Sequence, residues 1–271
     1  MQARSAVFDL YGDHLAGHGY WAPISAVITL TRTCGIQPPA TRTAVSRMVA
    51  QGWLQPRTID GLRGYAATPV ARERLRRAHQ RIYAAGGDPW DGRWHVVVVD
   101  APKDRSLRDR LSANLGYLGY GRLAQSTWVS PHRSTELAET LQDADVTWTD
   151  FHGPSQEDPV ALVRQVWDLQ ELSEAYGAFL AGIPDLEVAS ALAPEDAYPV
   201  RTDLVHRWRK FMFTDPGLPR EVLPAGWPGQ SARERFLEVA DELQPAARMF
   251  VTAVLAETRD QAPATRGGPD D

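Results

Sequence analysis

The stretch LQPRTIDGLRGYAAT, Leu54 to Thr68, constrains this chain more than any other segment. Two short runs, Leu54–Ile59 and Leu62–Ala67, flank Asp60-Gly61. Asp-Gly suits a two-residue hairpin turn, because both central positions need a positive φ. An isolated hairpin is barely stable in water, so this one has to pack on a neighbour. What precedes it is helical in pattern: Ala3–Ala16, Pro23–Thr33 and Ala40–Gln51, with a turn over Cys34–Pro39 and a stop at Gly52. After the hairpin, Thr68 can cap a helix that takes Pro69 at its first position, where a missing N–H costs nothing. Helix, helix, turn, helix, hairpin is the order of a winged helix-turn-helix domain. In such a domain the third helix enters the major groove and the hairpin contacts the flanking backbone or minor groove.

Projected at helical pitch, Ala40–Gln51 places Thr41, Ala44, Val45, Met48 and Val49 on one side. Thr43, Ser46, Arg47 and Ala50 lie opposite, with Arg42 at the border. The helix holds no acidic residue, so nothing along it repels phosphate. Arginine can grip guanine through two hydrogen bonds, and Thr and Ser can reach phosphates or base edges. The expected DNA-binding residues are therefore Thr41, Arg42, Thr43, Ser46 and Arg47, with Arg57 and Arg63 on the hairpin. The turn GIQPPA lacks the usual Ser, Thr, Asp or Asn cap, which leaves the start of the helix open.

Charge is split along the chain. Residues 1–85 hold 11 Arg against 4 Asp/Glu, a net of +7, whereas residues 86–271 carry a net of −12. A basic module that meets a polyanion, joined to an acidic module with another task, accounts for that split. No apolar run approaches membrane-spanning length, and the N-terminus lacks the pattern of a signal peptide, so the expected compartment is the cytoplasm. Cys34 is the only cysteine, which excludes an internal disulfide framework and any multi-cysteine zinc site.

Two glycine- and proline-rich breaks, AAGGDPWDG (Ala84 to Gly92) and GPSQEDP (Gly153 to Pro159), divide the rest. Between them WHVVVVD reads as a buried strand, and Leu107, Leu111, Leu115 and Leu118 repeat at helical spacing. STWVS and VTWTDF are strand-like, with a helix around Leu137 and Leu141 and room for a further strand near Tyr120–Leu123. This order fits a small ferredoxin-like sandwich. The last segment reads as helices over Pro159–Leu180, Val200–Phe213 and Ser231–Glu257. The expected fold class is α+β, in three domains and a tail. These are a winged helix-turn-helix domain over 1–84, a ferredoxin-like α/β sandwich over 85–153, a mainly helical effector and dimerisation domain over 154–258, and a disordered tail over 259–271.

Four collinear stretches carry a family resemblance: RTAVSRMVAQGWL; DPWDGRWHVVVVDAP with LGYLGYGRLAQSTWVSP; VWDLQELSEAYGAFL; and RTDLVHRWRKFMFTDPGLPREVLPAGWPGQSA. In these the chain resembles the PaaX family of bacterial transcriptional repressors, which control phenylacetic acid degradation. The resemblance implies a homodimeric repressor of a catabolic operon. It implies that an aryl-acyl-CoA thioester such as phenylacetyl-CoA releases the protein from a double-stranded operator. No enzyme activity, metal or cofactor is implied. The middle segment also resembles the small ferredoxin-like nucleases of CRISPR spacer acquisition, in which an Asp ending the first strand holds metal; Asp100 stands at that place. A metal-dependent nuclease is thus the alternative, although no second acidic ligand pattern accompanies Asp100, which also suits a strand-end cap.

For the effector, the basic run Arg201, His206, Arg207, Arg209 and Lys210 offers an anion-binding edge for a CoA phosphate or carboxylate. Trp208, Phe211, Phe213 and Trp227 offer an acyl pocket. The expected effector residues are Arg201, His206, Trp208, Arg209 and Trp227. The competing reading is a helix bridged to acidic neighbours, with Trp208 in the core. His14 and His18 have i,i+4 spacing but stand among glycines, which weakens them as a metal pair.

Overall fold

The computed structural model describes residues 1–83, 89–100 and 102–260. Most of the glycine-rich break before Pro89, and residues 261–271 of the expected tail, lie outside these. The fold is α+β, mostly helical with two antiparallel sheets. The chain opens with α1 (Ala3–Asp9), which continues into a π-helical turn (Leu10–His14). Next come β1 (Trp21–Pro23), α2 (Ile24–Thr33), α3 (Pro38–Ala50), β2 (Leu54–Ile59), β3 (Leu62–Ala67) and α4 (Pro69–Tyr83).

The start of α3 is settled two residues upstream of the expected Ala40. Pro38 and Pro39 occupy the first helical positions, and Gln37 precedes them in an extended conformation without a side-chain cap. The prolines lessen the need for a cap: two of the four first-turn N–H groups do not exist, one of them at the second position that a cap would serve, and proline's φ is already helical. The hairpin turns at Asp60 and Gly61, which have φ 51° and 76°, as a two-residue turn of its hand requires. β3 is the middle strand of its sheet, with β1 and β2 at the edges. Pro23 and Pro56 stand on those edges, where a missing N–H is tolerated. Gly64 faces β1 so closely that a Cβ would collide with the Ala22 carbonyl. Thr68 caps α4 by accepting from the Ala71 N–H at 3.2 Å.

The middle segment folds as β4 (Trp94–Val99), α5 (Arg105–Tyr117), β5 (Gly121–Ala124), β6 (Thr127–Ser130), α6 (Leu137–Asp143) and β7 (Trp148–Gly153). The strand for which the sequence left room near Tyr120–Leu123 is β5. The sheet order is β5-β6-β4-β7, antiparallel throughout. One sheet face buries Val97 and Val99 against Leu111, Leu115, Leu137 and Leu141 of α5 and α6. On the other face, Trp94 and Val129 pack with Leu162 and Val163 of α7 (Pro159–Val166).

The expected helix over Pro159–Leu180 is two helices, α7 and α8 (Leu169–Ala181). Trp167 is extended between them, and Asp168 caps α8 by accepting from the N–H groups of Gln170 at 3.1 Å and Glu171 at 3.0 Å. The chain ends with α9 (Leu186–Ser190), α10 (Pro194–Trp208), α11 (Phe211–Thr214) and α12 (Pro228–Asp260).

These elements form two compact units that do not follow chain order. Within the described residues, the first comprises 1–83, 183–208 and 234–260; the second comprises 89–182 and 209–233. The core of the first unit shows why. Val7, Leu10, Val27, Val45, Met48 and Leu75 share one apolar cluster with Tyr198 of α10 and with Ala247, Val251, Val254 and Leu255 of α12. The N-terminal helices are thus closed over by helices from the other end of the chain. No helix among the described residues is long and apolar enough to cross a membrane.

Candidate nucleic-acid interface

The two sides of α3 separate cleanly. Ala44, Val45 and Met48 are buried, whereas Arg42, Thr43, Ser46, Arg47 and Ala50 are exposed. Thr43 turns its hydroxyl back to the Pro39 carbonyl at 2.9 Å. Thr41 is corrected by the structure: it is fully buried, and its hydroxyl lies 2.7 Å from that of Thr31 on α2. Thr31 gives its own proton to the Val27 carbonyl at 2.8 Å, so Thr41 is the donor of the pair. Thr41 therefore fixes α3 to α2 and takes no place on the surface.

Arg57 and Arg63 are both exposed on the hairpin, but on opposite faces. Arg57 stands across from Gly64 and Arg63 across from Thr58, and residues directly opposite share a face. The backbone carbonyl of Arg57 accepts from the Trp21 indole at 3.1 Å, which anchors its strand to β1. At the far end of α3, Arg4 donates to Gln51 at 3.1 Å, and Phe8 meets Trp53 edge-on with centroids 5.5 Å apart. These contacts hold α1 against α3, and no periodicity in the sequence announced them.

Two of the four acids of residues 1–83 are kept from solvent, while Asp60 at the hairpin turn is exposed. Asp9 and Asp13 are buried, and Glu73 is taken by Arg76 and Arg77 at 2.7 and 2.8 Å. The surface of residues 1–83 is therefore more basic than its composition indicates.

Asp9 and Asp13 point instead into a buried polar network. The Arg201 guanidinium of α10 donates to both carboxylate oxygens of Asp13, at 2.9 and 3.1 Å, to the Tyr83 hydroxyl at 2.9 Å, and to the Ala240 carbonyl of α12. Tyr83 donates to Asp13 at 2.7 Å. Next to these, His206 Nδ1 lies 2.9 Å from Asp9. His14 Nε2 lies 3.0 Å from the Thr202 hydroxyl, which gives its proton to the Tyr198 carbonyl at 2.8 Å; Nε2 is thus the protonated nitrogen of His14. Burial alone would raise the Asp13 carboxyl, but Arg201, His14 and the Tyr83 hydroxyl outweigh it and hold the group below the usual carboxylate range. Burial pushes the His14 imidazole down to about 4, against the pull of Asp13.

This network corrects the expected anion-binding edge. Arg201 and His206 are buried and spend their polar atoms on Asp13 and Asp9. Trp208 is buried too, stacked on Phe236 with centroids 4.8 Å apart and donating to the Ile82 carbonyl at 3.3 Å. These three belong to the first unit; Arg209 and Trp227 belong to the second. There Tyr176 stacks on Phe211 at 4.2 Å, meets Trp227 edge-on at 6.2 Å, and donates to Asp215. Phe211 is buried in this cluster, whereas Phe213 is exposed. Asp100 has an exposed side chain, and its N–H donates to the Thr147 carbonyl at 2.9 Å. Among the described residues no three His, Cys, Asp or Glu side chains gather as a metal site requires.

The fold and surface define an α+β protein with a basic helix-and-hairpin module closed by C-terminal helices. The chain belongs to the PaaX family. Family models match it in three consecutive pieces: PaaX-like protein over residues 2–67, the PaaX protein central Cas2-like domain over 87–156, and the PaaX-like protein C-terminal domain over 167–253. It is similar to the transcriptional repressor PaaX of Escherichia coli K12, with 30% identity over 266 residues that span 93% of this chain and 84% of the relative. Among solved structures it is similar to the uncharacterized protein Rv0674 from Mycobacterium tuberculosis. That match has 28% identity and a TM-score of 0.58, and it covers 96% of this chain and 97% of the other.

Proposed function

We propose that this protein is a DNA-binding transcriptional repressor without enzyme activity, acting in the cytoplasm as a homodimer on a double-stranded operator. The observation that carries the reading is the division of α3. Its inner side is fixed in the core, while Arg42, Thr43, Ser46 and Arg47 face solvent on a helix without an acid. α2, α3 and the β2–β3 hairpin supply the recognition parts of a winged helix-turn-helix domain. Arg57 and Arg63, on opposite hairpin faces, suit a wing that straddles the phosphate backbone. The general geometry of such domains supports a dimer, because one recognition helix spans too few base pairs and two-fold proteins read paired half-sites. The order β5-β6-β4-β7 around α5 and α6 supports a ferredoxin-like middle domain. The kinship to a transcriptional repressor supports the same role here.

The effector in this reading is an aryl-acyl-CoA thioester, with phenylacetyl-CoA the first to test. Its acyl part would meet the aromatic side chains around Tyr176 and Trp227 of the second unit, and Arg209 of the same unit is the residue assigned to an anionic group. Arg201 and His206 are given to the buried network instead, and Trp208 to the packing against Phe236.

The test is binding to a labelled duplex carrying the gene's own upstream region, measured across salt concentrations. Arg47→Ala should relax sequence preference at one position and cost about 1–3 kcal/mol. Arg63→Ala should weaken binding to all sequences alike and flatten the salt slope by roughly one. Equal effects of both on every sequence contradict the assigned roles. Affinity that no acyl-CoA alters rejects this class of effector.

A further inference from the structure

Arg201 joins four segments with one planar group. Its own helix is α10; its donors reach Asp13 of the π-helical turn, Tyr83 at the end of α4 and the Ala240 carbonyl of α12. Two of these segments come from the N-terminal module and two from the C-terminal helices. Asp9, on α1, is held from the same helix by His206. α1 in turn packs on α3, with Arg4 bonded to Gln51 and Phe8 against Trp53. α1 and the π-helical turn that continues it therefore touch both the exposed basic helix and, through the buried carboxylates of Asp9 and Asp13, α10.

A buried ion pair contributes little net stability when complete, yet it leaves a costly unpaired charge when one partner withdraws. Such a pair has two preferred conditions, docked or broken, with little between. The Asp13–Arg201 pair is two-pronged, so it also fixes the angle at which α10 meets the turn. At residue 208 α10 gives way to chain that belongs to the second unit. A shift of α10 would therefore be felt first at these two carboxylates.

We propose that the Asp13–Arg201–Tyr83 network, with the Asp9–His206 pair beside it, is a latch through which the C-terminal helices set the DNA affinity of α3. This rests on the DNA-binding reading above. The latch holds α1 in the place that α3 needs, and a partner or ligand that moves α10 loosens α1 without touching the DNA-facing side chains.

The test uses the full chain in two measurements: amide hydrogen exchange, and binding to the labelled upstream duplex across salt. Arg201→Met and Tyr83→Phe are compared with Arg47→Ala. Tyr83→Phe removes only the hydroxyl that bonds both Asp13 and Arg201, and it decides the matter where Arg201→Met does not fold. The expected result for both latch variants is at least tenfold faster exchange in α1, the π-helical turn and α3, with β4 to β7 unchanged. DNA affinity should fall at least fivefold with the salt slope of wild type, because no phosphate contact is lost. Arg47→Ala should lower affinity with no change in exchange. Faster exchange confined to α4 and α10 overturns the latch, as does unaltered DNA affinity in a variant whose α1 and α3 exchange faster. If wild type ignores the duplex, the DNA-binding reading fails by itself. The exchange arm then still decides whether α10 holds α1 and α3.

Discussion

His14 is an imidazole kept from water, and its surroundings give it a measurable signature. It is packed among Asp13, Thr202 and the Tyr198 ring, whose centroid is 4.7 Å away, and burial brings its pKa from 6.5 to about 4. Below pH 6.5 the unfolded chain protonates this group while the folded chain does not. Stability is then full above pH 6.5 and falls as pH drops toward 4, by about 3 kcal/mol at most for a shift of this size. His14→Asn should flatten that part of the pH profile in urea unfolding; an unchanged slope between pH 6.5 and 4 assigns the dependence elsewhere. Thr41 makes a second case among single residues. Thr41→Val deletes the proton given to Thr31 and should cost about 1 kcal/mol in unfolding free energy. Its salt slope for DNA should match wild type, since the residue is buried; a flattened slope would return Thr41 to the interface.

Among helices and strands, boundaries follow local chemistry that single residues carry. Asp168 is the residue that stops α7 and α8 from being one helix. Its carboxylate serves two N–H groups of α8, so Asp168→Ala should destabilise the protein by about 1 kcal/mol, read as a lower melting temperature. An unchanged melting temperature would mean that Trp167 packing alone makes the break. The hairpin was legible because Asp60-Gly61 admits few other turns, and the apolar side of α3 because Ala44, Val45 and Met48 recur at helical spacing. The first turn of α3 was not legible in the same way. Proline is compatible both with a turn and with a first helical position, and only the extended Gln37 decides between them. Thr41 stood in the inward set by periodicity and in the DNA set by side-chain chemistry; its neighbour across the core, Thr31, resolved the conflict.

Across the chain as a whole, the core of the first unit belongs to both ends of the sequence. Residues 1–83 expressed alone would leave Val7, Leu10 and Leu75 without the apolar side chains of α10 and α12, and Asp13 without Arg201. That fragment should lack a cooperative thermal transition in circular dichroism; a sharp transition would show that the N-terminal helices sustain their own core. Local sequence was enough for the elements themselves: helix, turn, helix and Asp-Gly hairpin, the alternation of strands and helices after them, and the basic charge of residues 1–85. These depend on spacing, turn chemistry and charge within a few residues of each other. It took the packed molecule to make Arg201, His206 and Trp208 interior groups, and to close the N-terminal module with α10 and α12. The reason is that a guanidinium or imidazole reads alike in sequence whether it faces a ligand or a buried carboxylate. The carboxylate that answers Arg201 stands 188 positions away.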